Sequence, residues 1–309
     1  MSMSTSAWNE EEAYLPVPPP PDVTGDDPTG ILRAVDPATA RTPRHIPEPP
    51  PISSHGPARV LALCNQKGGV GKTTSTINLG AALAEYGRRV LLVDFDPQGA
   101  LSVGLGIQPH QLDRTVYNLL MERGASVDDV LLKTNVAGMD LLPSNIDLSA
   151  AEVQLVTEVA REQTLLRILE PVLPEYDYVL IDCQPSLGLL TVNALTAAHG
   201  VLIPLECEFF SLRGVALLID TIEKVKERLN PTLSVDGILA TMYDARTVHG
   251  REVFARVVEA FGEIVYDTVI TRTVRFPETT VAGEPITSWA PTSSGAKAYR
   301  SLAREVLAR

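Results

Sequence analysis

The stretch that most restricts what this chain can become is "NQKGGVGKTT", residues 65–74. An apolar run, "RVLALC", precedes it. Behind it comes "KTTSTINLGAALAEYG", with the spacing of a helix closed by Gly87. Strand, glycine turn and helix in that order make a phosphate cradle. Gly68, Gly69 and Gly71 allow backbone amides to close around an anion at a helix N-terminus, where the dipole favours negative charge. Lys72 then offers a point charge to the outer phosphates, and Thr73 offers a hydroxyl to magnesium. Val70 and Thr74 complete the run, so residues Lys67 to Thr74 are the expected phosphate-binding segment. The strict pattern GxxxxGK[ST] nevertheless fails, because Gln66 stands where its first glycine belongs, and a second lysine, Lys67, sits inside the loop.

From Arg59 onward, β-branched runs alternate with helical patterns. "RRVLLVDFD" (88–96), "DYVLIDC" (177–183), "GVLIPLE" (200–206) and "SVDGILATMYD" (234–244) are nearly continuous apolar strands, as in a parallel sheet covered on both faces. The expected fold class is α/β, a single doubly wound, mostly parallel sheet of the phosphate-loop kind over residues 58–309, preceded by a disordered tail. In such sheets ligands sit at the carboxyl ends of the strands. Asp94 and Asp96 close the second strand two residues apart and so project toward one cleft, and Asp182 closes "VLIDC".

Composition separates residues 1–57 from the rest. They hold more than half of the 24 prolines and a clear excess of acids over arginines. Such a segment buries too little apolar surface to offset its ordering entropy, so an acidic, partly polyproline II tail is expected, with Trp8 and Tyr14 as a candidate partner-binding motif. The net charge of -12 argues against constitutive nucleic-acid binding through a basic coat, although the segment after Ala240 is close to neutral. Cys64, Cys183 and Cys207 lack CxxC spacing and suggest neither disulfides nor zinc. The start of the chain does not read as a secretory signal, and no apolar run reaches the roughly 18 residues needed to span a bilayer, so the protein is expected to be cytoplasmic with no membrane insertion.

"NQKGGVGKTT", "LLVDFDPQG" (91–99) and "VLIDCQPSLG" (179–188) resemble, in order and spacing, the deviant Walker A, switch I and Walker B segments of the ParA/Soj family of chromosome- and plasmid-partitioning ATPases. The likeness continues through "TMYDARTVHG" (241–250) to the C-terminus. It implies ATP and Mg2+ as cofactors and a homodimer closed around two nucleotides, in which Lys67 reaches across to the partner's phosphates. It implies that Asp96 orients the attacking water, that Asp94 lies near the magnesium shell, and that Asp182 holds magnesium through water. Arg246 and Arg275 match DNA-contacting positions, with Arg251 and Arg272 as candidate additions. The implied partners are non-specific DNA and a ParB-type centromere-binding protein, and the implied location is the nucleoid.

Two residues depart from the family pattern: Gln184 replaces a proline, and Glu206 replaces a commoner glutamine. The alternatives are a MinD-like membrane-cycling ATPase and a cargo-positioning relative. Against the first, the final helix has no bulky aromatic face beyond Tyr299 and is expected to pack into the core.

Overall fold

A computed structural model describes residues 46–208 and 211–309. Trp8, Tyr14 and the expected tail up to residue 45 lie outside the described residues. Residues 46–57 carry no helix or strand. Their end is tied to the domain where His55 Nδ1 and the Gly56 amide meet the Asp177 carboxylate, at 2.7 and 3.0 Å.

Seven strands build one sheet: β1 (Arg59–Leu63), β2 (Val90–Phe95), β3 (Leu132–Lys133), β4 (Met139–Leu142), β5 (Tyr178–Cys183), β6 (Gly200–Glu206) and β7 (Ser234–Thr241). Their order is β3-β4-β2-β5-β1-β6-β7. All neighbours run parallel except β3 and β4, which pair antiparallel at one edge. The doubly wound, mostly parallel architecture expected from the alternating pattern is therefore present. The helices are α1 (Lys72–Glu85), α2 (Ala100–Gly104), α3 (Val116–Met121), α4 (Leu148–Gln154), α5 (Thr164–Leu169), α6 (Leu189–Ala197), α7 (Ser211–Arg228), α8 (Val248–Phe261), α9 (Arg275–Ala282), α10 (Ile286–Trp289) and α11 (Ser294–Ala308).

Alternation along the strands sorts the core into two layers. Leu61, Leu92, Leu180 and Leu202 face α1 and α11, whereas Val60, Ala62, Val179, Ile181 and Val201 belong to the opposite layer with α6 and α7. Fully burying each large aliphatic side chain stabilises the fold by about 1.5–3 kcal/mol, so both faces of the sheet need cover. α11 supplies part of that cover. It buries Tyr299, Leu302, Ala303 and Val306, and the Tyr299 hydroxyl meets Ser75 Oγ on α1 at 3.1 Å. The last helix is thus core-packed, as its sequence predicts. Among the described residues no helix is long and apolar enough to cross a membrane.

Candidate functional site

The loop between β1 and α1 occupies the carboxyl edge of the sheet, beside the end of neighbouring β5 and one strand further from that of β2. Gly69 and Gly71 adopt positive φ, 77° and 85°, which only glycine reaches without strain. A Cβ added at Gly68 or Gly69 would meet no atom within 4 Å, so space is open beside both glycines. No side chain caps the N-terminus of α1 and no acid occupies its first turn, which leaves its leading amides available to an anion. The loop's outer side, by contrast, is bonded. Thr241 Oγ1 donates to the Val70 carbonyl at 2.8 Å, and Asn65 accepts from the Lys67 amide at 2.9 Å while donating to the Pro204 carbonyl at 2.8 Å. Gln66, the residue that breaks the strict pattern, donates to the Gly214 carbonyl at 2.9 Å and so fastens the loop to α7.

The two lysines have different surroundings. Lys72 is buried, and its Nζ donates to the Lys67 carbonyl at 3.2 Å, inside the curl of the loop. Lys67 leaves the loop for the end of β6, where its Nζ lies 2.9 Å from Glu206 Oε2 and 2.5 Å from Glu208 Oε2. The Glu208 contact, helped by Glu206, holds the Lys67 ammonium above the ordinary lysine value, against an opposing effect of burial that is second only to the Glu208 bond.

Register places Asp94 of β2 directly beside Asp182 of β5. Asp94 is fully buried, and its Oδ2 accepts from both the amide and the hydroxyl of Ser102, at 2.9 and 2.7 Å. Burial pushes its pKa up to about 6 despite those bonds. Asp182 is pushed further, to about 8, first by burial and then by the neighbouring Asp94 charge, with the Thr73 hydroxyl and the Lys72 charge opposing. Its Oδ1 accepts from Thr76 at 3.4 Å, while its Oδ2 is buried with no partner. Asp96 lies just beyond the end of β2, and its Oδ1 accepts from the Gln98 amide at 2.9 Å.

Among the described residues no group of three or more His, Cys, Asp or Glu side chains could hold a metal by itself. That fits magnesium, which usually keeps several waters and takes only one or two protein oxygens beside a ligand's phosphates. The partnerless Asp182 Oδ2 and the neighbouring Thr73 hydroxyl are a donor pair of that kind.

Beside the loop lies a cavity of about 380 Å³ lined by Gly71, Thr74, Thr241, Phe276, Pro277 and Tyr299, among others. It has the size and apolar walls of a nucleoside pocket, and no sequence motif announces it. Sequence reasoning also misses Asn65, Thr241 and Glu152. Glu152 accepts from Gln184 Nε2 at 2.8 Å, so the residue that departs from the family pattern after Asp182 has a dedicated partner.

The candidate DNA-contacting arginines lie on neighbouring segments, brought together by a bridge between Tyr243 and Thr271. Arg246, Arg272 and Arg275 each have an acidic partner within their own chain. Arg246 makes a two-armed contact with Asp244, both arms at 2.9 Å, and Arg275 pairs with Glu278 at 3.0 Å. Arg272 reaches Glu206 Oε1 at 3.2 Å, and Arg251 donates to the Ala245 carbonyl at 2.7 Å.

A family model described as an AAA domain matches residues 58–235. An uncharacterized protein of Mycobacterium tuberculosis strain H37Rv is 72% identical over 271 residues, covering 88% of this chain and 85% of that protein. The chromosome partitioning protein ParA of Caulobacter vibrioides strain NA1000 is 49% identical over 258 residues, with 83% and 96% covered. Among solved structures, the cobyrinic acid a,c-diamide synthase of Mycobacterium smegmatis with bound ADP and magnesium is 44% identical, covers 81% of this chain and 94% of its own, and superposes with a TM-score of 0.72.

Proposed function

This chain belongs to the ParA/Soj family of partitioning ATPases and is itself an ATPase, and from that premise we propose how its residues divide the work. ATP binds with its phosphates in the loop from Lys67 to Thr74 and its nucleoside in the cavity walled by Phe276 and Pro277. The observation that carries this reading is an uncapped helix start behind a glycine loop, with open space at Gly68 and Gly69, near a buried aspartate with one partnerless oxygen. Thr73 and Asp182 hold magnesium, Asp182 through water, with Asp94 as the carboxylate behind them. When bound, the ion supplies charge neutralisation at the outer phosphates. Lys72 grips the phosphates within its own subunit. Two copies close face to face, and Lys67 crosses to the partner's nucleotide, where a cation stabilises the negative charge that accumulates in phosphoryl transfer. Asp96 orients the attacking water.

The closed dimer binds DNA through paired copies of the Arg246 and Arg275 surface, contacting phosphates without reading sequence. A ParB-type partner ends the DNA-bound state by stimulating hydrolysis, and the cycle moves a chromosomal or plasmid cargo over the nucleoid. α11 packs into the core and so is not itself a free, membrane-binding helix of the MinD kind. Electrophoretic mobility of DNA with ADP and with a non-hydrolysed ATP analogue is the direct test. Retardation with the analogue alone is the expected result. Equal retardation with both nucleotides, or with neither, would overturn the nucleotide-gated reading.

A further inference from the structure

Glu206 occupies a position that neither the phosphate site nor the DNA surface accounts for. It is the last residue of β6, its side chain is only 12% exposed, and both of its oxygens are engaged. Oε2 faces Lys67 Nζ at 2.9 Å, and Oε1 faces Arg272 Nη2 at 3.2 Å. One carboxylate therefore joins the phosphate loop to the segment that walls the nucleoside cavity and leads into Arg275. Lys67 is 43% exposed, against 70% for Arg272, and Glu208 adds a second contact to Lys67 at 2.5 Å. In this arrangement the Lys67 ammonium lies against its own β6 and is not extended away from the subunit.

We infer that Glu206 is a positioning residue for Lys67, holding the lysine on its own subunit until a second nucleotide-bound copy competes for it. The inference rests on the trans role given to Lys67 above. Two consequences follow from the geometry. Lys67 must give up its contacts with Glu206 and Glu208 before it can reach a partner's phosphates, so assembly is opposed by the same carboxylates that organise the monomer. Release also leaves Glu206 with Arg272 alone, so that carboxylate draws more strongly on the cavity wall and on the approach to Arg275 in the assembled state. A glutamine at this position keeps the shape and one acceptor oxygen but loses the charge.

The test compares wild type with Glu206→Gln in two measurements. Sedimentation with a non-hydrolysed ATP analogue gives the dimer dissociation constant. Reductive methylation of the ADP-bound monomer, read by mass spectrometry, gives the reactivity of the Lys67 amine. Partly exposed ion pairs of this kind are worth a factor of about two to five per subunit, so releasing one in each subunit tightens the dimer by about four- to twenty-five-fold. Lys67 should also be methylated several-fold faster in the variant, a gain that structural damage elsewhere would not produce. A wild-type protein that stays monomeric with the analogue would overturn the assembly reading itself. If wild type dimerises, a variant with an equal or weaker dimer overturns the inference alone. A tighter dimer with unchanged Lys67 reactivity does so equally, because the gain would then come from net charge.

Discussion

Replacing Asp182 with asparagine should change how stability depends on pH in the nucleotide-free protein. The carboxylate is buried on β5 beside Asp94, and its folded pKa is raised to about 8. Because the folded value lies above the unfolded one, the folded chain keeps a proton that the unfolded chain releases. The associated stability is complete below the ordinary carboxylate value and is lost as pH rises toward 8. Within that window one retained proton gives a slope of about 1.4 kcal/mol per pH unit, so stability falls by roughly 3 kcal/mol between pH 5 and 7. Asp94, raised to about 6, adds to the fall only in the lower part of the range. The substituted amide cannot titrate, and whatever it costs is the same at every pH. The gap in melting temperature between wild type and Asp182→Asn should therefore shift by about 6–12 °C across this interval, given about 2–4 °C per kcal/mol for a domain of this size. Thermal unfolding in chelator at pH 5, 6 and 7 measures it. Parallel curves for the two proteins would refute the placement of an uncompensated, protonated carboxyl at this site.

Lys72→Ala should lower nucleotide affinity by about ten- to a hundredfold, the worth of a hydrogen bond to a charged group, with melting little changed, and calorimetric titration with ADP reads this directly. Lys67→Ala should bind nucleotide as a monomer but fail to hydrolyse or to form a stable dimer, whereas Asp96→Ala should accumulate the dimer; identical light-scattering traces with ATP would rule out the trans assignment. Charge reversal at Arg246 or Arg275 should abolish DNA retention while sparing ATP-dependent dimerisation. The milder Arg246→Ala should flatten the salt dependence by about 0.9 in log–log slope for each phosphate contact removed, and an unchanged slope would show that Arg246 does not touch phosphate.

The parts legible in the sequence are those written in consecutive residues. Five strands announce themselves as long apolar runs, and the phosphate loop and three aspartates lie at their ends. β3 and β4 escape such a reading because "LK" and "MDLL" are too short to show a period and are strands only through pairing with each other and with β2. Lys67's carboxylate partners lie 139 and 141 residues away, and the partners of Asn65 and Thr241 are backbone amide and carbonyl groups, which carry no residue identity. The cavity beside the loop is hidden for the same reason, its wall being assembled from Gly71, Thr241, Phe276 and Tyr299. One pairing is visible without the fold: in "YDARTVHG" the acid that pairs with Arg246 stands two residues before it.

The central position of β5 also sets how different parts of the site should open. With β2 on one side and β1 on the other, its amide protons can exchange with solvent only when the sheet comes apart, so they should report the global unfolding free energy. The segment that walls the cavity is joined to β7 through few backbone bonds, among them Tyr243 to Ile270 and Ile270 to Ala240. Its amides should exchange through a local opening. The aspartates and the cavity wall then belong to different cooperative units. If the nucleoside lies in this cavity as proposed, substitutions around residues 270–280 should alter the exchange of ADP for ATP while Asp94, Asp96 and Asp182 stay in place, and hydrogen exchange of the two segments with and without ADP would show it.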